Sequence, residues 1–169
     1  MAVYTRDGDI NPYVETTGVQ TLYSMADRLL ELVKSNFLAA AVSLPEREVI
    51  YMSPIPADCE QVAVLFSGWN PYPMSDGPQV CAGYRWLADF SVIVTRCTPA
   101  IAPKTATKNL TPAAEKMHEA AQMASRDSEI LLSVLQDLSE FANPAVLVQS
   151  PVGGLQTTEL DVQIPIGGI

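Results

Sequence analysis

Polar and apolar positions recur along this chain with two different periods, and the switches between them mark out its elements. Leu22, Ala26, Leu29, Val33 and Phe37 follow one another at spacings of four, three, four and four, the period of a helix with one buried face. Thr17 and Gln20 stand before the stripe as a capping box, in which each side chain satisfies a backbone N–H that the helix leaves unpaired. One amphipathic helix is therefore expected over about residues 18–35. A second stripe runs through Met117, Ala121, Ala124, Ser128, Leu131, Leu135, Leu138 and Ala142. It follows Thr111-Pro112, a hydroxyl N-cap with proline at the first helical position, and Asn143-Pro144 ends it. Its small residues, and the lack of a flanking charge pattern, favour packing on a sheet over a coiled coil.

Elsewhere the period falls to two. Val49 to Met52, bounded by Pro54 and Pro56, reads as a short strand near an edge. Within 59–66, Val62, Val64 and Phe66 share one face while Ala63 and Leu65 share the other, the pattern of a strand covered on both sides. A long strand is expected from Trp86 to Cys97, with Trp86, Ala88, Phe90, Val92 and Val94 on its apolar face. Between these two, residues 67–85 hold Gly68, Asn70-Pro71, Pro73, Asp76-Gly77-Pro78 and Gly83, turn chemistry that leaves Trp69 and Tyr72 in a loop. Ala145 to Gln149 and Leu155 to Ile166 read as closing strands joined by Pro151-Val152-Gly153-Gly154, a hairpin signal. In the last strand Leu160, Val162, Ile164 and Ile166 alternate with polar side chains.

Residues 1–16 show no helical period and read as an extended N-terminal arm; residues 17–169 form a single α+β domain. The order is arm-α-β-β-β-α-β-β. Each helix needs an apolar surface to cover, and one mainly antiparallel sheet of about four to five strands supplies it.

Composition narrows the function. A hydrophobic content of 48% excludes a disordered chain, and no apolar run approaches the ~20 residues of a membrane span. The first residues lack the apolar core of a signal peptide. A net charge of −9, with ten scattered Lys and Arg, removes the usual route to nucleic-acid affinity, the displacement of phosphate counterions by clustered cations. A wall that DNA slides past without sticking is compatible with that charge.

Residues that could carry catalysis are sparse. Cys59, Cys81 and Cys97 are odd in number and read as free thiols in a reducing compartment. They lack a Cys-x-x-Cys knuckle, so with His118 they give no zinc pattern, and no metal or cofactor is expected. Asp58 and Glu60 share one face at a strand start without a third acid or base nearby. The glycines form no phosphate-binding fingerprint, and Asp7-Gly8-Asp9 lacks the further ligands of a calcium loop. Cys97 with His118 is the one arrangement that a small enzyme could use. The preferred reading of His118 is a surface helix residue, and of the chain a protein without catalysis.

Three stretches together resemble the tail terminator proteins of long-tailed phages that infect actinobacteria. They are Pro56-Ala57-Asp58-Cys59-Glu60-Gln61-Val62 entering a strand, Val94-Thr95-Arg96-Cys97-Thr98-Pro99 leaving one, and Gly153-Gly154 before a strand ending Asp161-Val162-Gln163-Ile164-Pro165. Cys81 in the intervening loop fits the same pattern. The resemblance spans roughly residues 18–166; the arm has no counterpart in it.

This resemblance implies a virion protein at the head–tail junction, made in the host cytoplasm. Such proteins form a ring, typically a homohexamer, on the head-proximal end of the major tail tube protein. The ring stops tube polymerisation and offers a docking surface to the head-completion, or stopper, protein, with DNA passing through the lumen unbound. Another head–tail connector or stopper protein is the nearest alternative. A ring requires one surface to meet a different surface on the neighbour. Trp69, Tyr72 and Met74 in the loop, with Tyr4 and Tyr13 in the arm, are the expected interface residues.

Overall fold

The computed structural model describes residues 3–4, 10–11, 22–51, 58–73, 84–98, 114–138, 141–149, 151–152 and 154–165. Two helices, α1 (Leu22–Ala39) and α2 (Ala114–Asp137), lie on one face of a five-stranded sheet. The strands are β3 (Arg47–Tyr51), β4 (Gln61–Pro73), β5 (Tyr84–Cys97), β6 (Ala142–Val148) and β7 (Leu155–Pro165), in the spatial order β3-β4-β5-β7-β6. β3 runs parallel to β4 and every other pairing is antiparallel, so the α+β architecture with a mostly antiparallel sheet holds. The edges are β3, short as expected, and β6.

The core sits between the helices and the even-numbered positions of the central strands. Val62 and Val64 of β4, Ala88, Phe90, Val92 and Val94 of β5, and Leu160, Val162 and Ile164 of β7 are buried there. Above them lie Met25, Ala26, Leu29, Val33 and Phe37 of α1, with Ile130, Leu131, Val134 and Leu138 from α2 and its end. Each large side chain so enclosed contributes about 1.5–3 kcal/mol. Strand β7 alternates half-buried and buried from end to end, as its sequence requires. On the opposite face, Ala63 is fully buried and Leu65 half-buried.

The structure differs from the sequence reading at several points. The first helix, described from Leu22, runs on to Ala39; the Thr17–Gln20 capping box lies outside the described residues. Its C-terminus closes with a Schellman-type turn, Val42 N–H donating to Phe37 O at 3.1 Å, around Ala41 in the left-handed region (φ 52°). Helix α2 buries Ala120, Ala124, Asp127, Leu131, Val134 and Leu138, a face rotated from the expected stripe. Ala121 is exposed. Asp127 has no place in the expected stripe, yet its ion pair with Arg96 draws it in. Helix α2 stops at Asp137, and Ala142, Asn143 and Pro144 belong to β6, where a register shift and Asn143 at φ 48° absorb the proline. Within the arm, β1 (Val3–Tyr4) pairs antiparallel with β2 (Ile10–Asn11).

The largest difference lies in β4. Strand β4 continues to Pro73 through what reads as loop, pairing with β5 as far as Pro73 opposite Tyr84. Among the described residues it pairs beyond Leu65 with β5 alone, β3 being described as far as Tyr51. A strand with one partner needs only alternate N–H groups, so Pro71 and Pro73 are tolerated there. The β4–β5 hairpin thus projects past the end of β3.

Candidate functional site

The projecting hairpin carries two exposed tryptophans, Trp69 and Trp86. A bulge between Phe66 and Gly68 adds one residue to β4 and reverses the alternation beyond it. Trp69, opposite Ala88, therefore returns to the helix-side face that Phe66 occupies. The two rings meet edge to face, 5.6 Å between centroids, and Phe66 leans in turn on Phe90 at 5.8 Å. Trp86 stands two positions from buried Ala88 on the same face, opposite Pro71. Trp69 is 41% exposed and Trp86 48% exposed, so both continue the core face past the helices that would cover it.

Of the interface residues expected from sequence, Trp69 is thus exposed but on a strand and not in a loop. Tyr72 pairs with Arg85 in β4 and Tyr4 with Ile10 in β1; their side chains, and all of Met74 and Tyr13, lie outside the described residues. Trp86 lies on the apolar face of its strand, as its spacing implies, yet it is exposed because the strand outruns the helices. The opposite edge of the sheet is also apolar: Leu147 and Val148 of β6 are half exposed, with Phe141 just before them.

The sheet face away from the helices carries Asp89, Glu159 and Asp161 side by side on β5 and β7. Neutral donors meet them: Asn70 donates to Asp89, Ser91 to Asp161, and Gln149 to Glu159 at 3.0 Å. Burial, and then the charge of Asp161, raises the Glu159 carboxyl above the ordinary glutamate value.

At the other end of the hairpin, Arg96 ties the sheet to three elements. Its guanidinium donates from Nε and Nη2 to the two oxygens of Asp127 on α2, both at 3.0 Å, with each side chain almost fully buried. Nη2 also reaches Ser43 O at 2.9 Å, Nη1 reaches Glu60 Oε2 at 3.2 Å, and the group lies 5.7 Å from the centre of the Phe37 ring. Burial works against its charge, but the hydrogen bonds and charges of Asp127 and Glu60 outweigh that and raise its pKa. Asp58 pairs with Arg47 instead. Both acids at the strand start are therefore ion-paired.

The free-thiol expectation is overturned for two of the three cysteines. Cys59 and Cys97 form a disulfide, Cα–Cα 5.2 Å. The reason is register: Gln61 faces Thr95, so the residues two steps back and two steps on lie across from each other. Glu60 joins them, its ligand atom and the two sulfurs all within 4.8 Å of one another. Strand pairing creates this group, and spacing along the chain gives no sign of it. Cys81 lies outside the described residues.

His118 is exposed on α2 and its Nε2 contacts Gln122 Nε2 at 3.0 Å. A groove beside the end of α1 is lined by Ala40, Ala41, Val42, Arg126, Glu129, Ile130 and Ser133, without an imidazole or a thiol. No helix among the described residues is long and apolar enough to cross a membrane. Neither a protein-family model nor a curated protein matches the chain.

Proposed function

We propose that this protein is a phage tail terminator, a non-catalytic subunit of a ring that caps the head-proximal end of the tail tube. One observation carries the reading most: two different exposed apolar patches lie at separate places on one sheet. The projecting β4–β5 hairpin offers Trp69 and Trp86 on its helix-side face, and the edge strand β6 offers Leu147 and Val148. A closed ring is built by such a heterologous contact, in which one surface meets a different surface on the next copy. The three sequence stretches that resemble tail terminators support the same conclusion. Two of them bracket the Cys59–Cys97 end of the hairpin, and the third is β7.

In this reading the ring, a homohexamer, stops polymerisation of the tube protein and receives the stopper protein on its free side. The face bearing Asp89, Glu159 and Asp161 lines the lumen, where negative charge keeps DNA from sticking as it passes. The test is to mix the purified protein with tail tubes and image the tube ends. Rings at one end support the proposal; a protein that stays free and leaves both ends bare overturns it.

A further inference from the structure

Glu60 is the residue that a simple cross-strand disulfide leaves unexplained. It holds a left-handed backbone, φ 50°, which costs a non-glycine residue of order 1–3 kcal/mol and persists only where its surroundings enforce it. The surroundings do so at three points. Arg47 N–H donates to Glu60 O at 3.1 Å, Arg96 Nη1 donates to Oε2, and Cys97 N–H donates to Oε1 at 3.1 Å. The carboxylate is thereby aimed at the sulfurs of Cys59 and Cys97, and each of its oxygens keeps a free lone pair.

Once the disulfide is reduced, two thiolates and a carboxylate oxygen, held within 4.8 Å of one another in the oxidised protein, are the donor set of a thiophilic divalent cation. We propose that, in the reduced protein, Cys59, Cys97 and Glu60 bind zinc, and that this state and the disulfide exclude each other. Zinc–sulfur bonds of about 2.3 Å let one ion span both sulfurs, with water in the fourth position. The hydrogen bonds from Arg96 and the Cys97 N–H then act as the outer shell that fixes the carboxylate ligand. Cys97 is exposed and Cys59 and Glu60 are half-buried, which leaves an entry path.

The chemistry balances in two steps. A dithiol reductant gives two electrons to the Cys59–Cys97 bond and becomes a disulfide itself, while the protein gains two thiols. Zinc then displaces a proton from each thiol, so binding releases about two protons. This inference stands independently of the ring.

The test is a titration of the full chain with cobalt(II), then zinc(II), under argon, with and without prior reduction by a phosphine. The reduced protein is expected to take about one cobalt per chain with thiolate-to-metal charge-transfer absorption, zinc to abolish that absorption, and the disulfide form to show none. Cys97→Ser should remove it. Glu60→Gln should weaken binding at least about tenfold, and Asp58→Asn, beside the site but paired to Arg47, should leave it unchanged. Circular dichroism at the titration temperature confirms that each variant is folded; if Glu60→Gln unfolds, Glu60→Asp replaces it with the same expectation of weaker binding. Reduced protein without charge-transfer absorption, or equal affinity with and without the Glu60 carboxylate, would overturn the site.

Discussion

Arg96 on β5 grips Asp127 on α2 with two bonds of 3.0 Å, each side chain almost wholly out of water. Charges so placed are expensive to strand and cheap to remove together. Replacing either residue alone, Arg96→Ala or Asp127→Ala, should cost about 3–5 kcal/mol in urea unfolding. Arg96→Met combined with Asp127→Leu should cost less than either single change. A double variant as unstable as the sum of the singles would contradict this account of the pair.

The same pair explains the main misreading of the second helix. Its three- and four-residue spacing is legible, but a stripe drawn through apolar and small residues leaves the aspartate out and is rotated from the buried face. Only the fold brings Arg96 beneath that helix. The alternation of β7 and the Leu22-to-Phe37 stripe were legible because one uninterrupted face lies against the core. The far half of β4 was not, because Pro71 and Pro73 signal turns unless the strand lacks a second neighbour. Trp69 was legible as an interface candidate; Trp86, the Cys59–Cys97 bond and the place of Glu60 depend on register and were not.

Ala41 spends its left-handed conformation on closing α1. Ala41→Gly should therefore stabilise the protein by about 1 kcal/mol, less the entropy that glycine adds to the unfolded chain. Thermal and urea midpoints should both rise. A fall would mean that the turn is held by contacts of the Ala41 methyl.

Glu159 supplies a pH dependence with a definite sign. Its carboxyl titrates above the ordinary glutamate value because burial and Asp161 disfavour the charge, so the folded state holds its proton at a pH where the unfolded chain has lost it. Stability from this group is fully present below the unfolded value of about 4.3 and falls as pH rises through the raised folded value. Glu159→Gln should consequently raise the urea midpoint at neutral pH, with the difference closing in acid below the unfolded value. An equal difference at both ends of the range would contradict the assignment.

The Cys59–Cys97 bond closes a segment with a sequence separation of 38 residues. On chain entropy alone, reduction in the presence of a chelator should lower the unfolding free energy by about 4 kcal/mol. Cys59→Ser with Cys97→Ser should reproduce the loss without reductant. Unchanged stability on reduction would show that strand pairing, not the bond, holds this end of the hairpin.

Trp69 and Trp86 separate assembly from folding. Each is near half exposed, so Trp86→Ala should change monomer stability by no more than about 1 kcal/mol, and Trp69→Ala by slightly more through its lost contact with Phe66. Capping of tail tubes, measured as the fraction of closed ends, should drop at least about tenfold for the pair, as for a buried aromatic anchor. His118→Ala should leave both quantities unchanged.

The central claim, that two unlike apolar surfaces, the projecting hairpin and the β6 edge, join copies of this chain into a ring on the tail tube, is tested most directly by electron cryomicroscopy of tubes incubated with the protein. The account predicts a closed ring on one tube end only, with Trp69 and Trp86 of each copy covered by its neighbour or by the tube. Tube ends left bare by a protein that remains monomeric, or a ring in which the β4–β5 hairpin touches nothing, would contradict it.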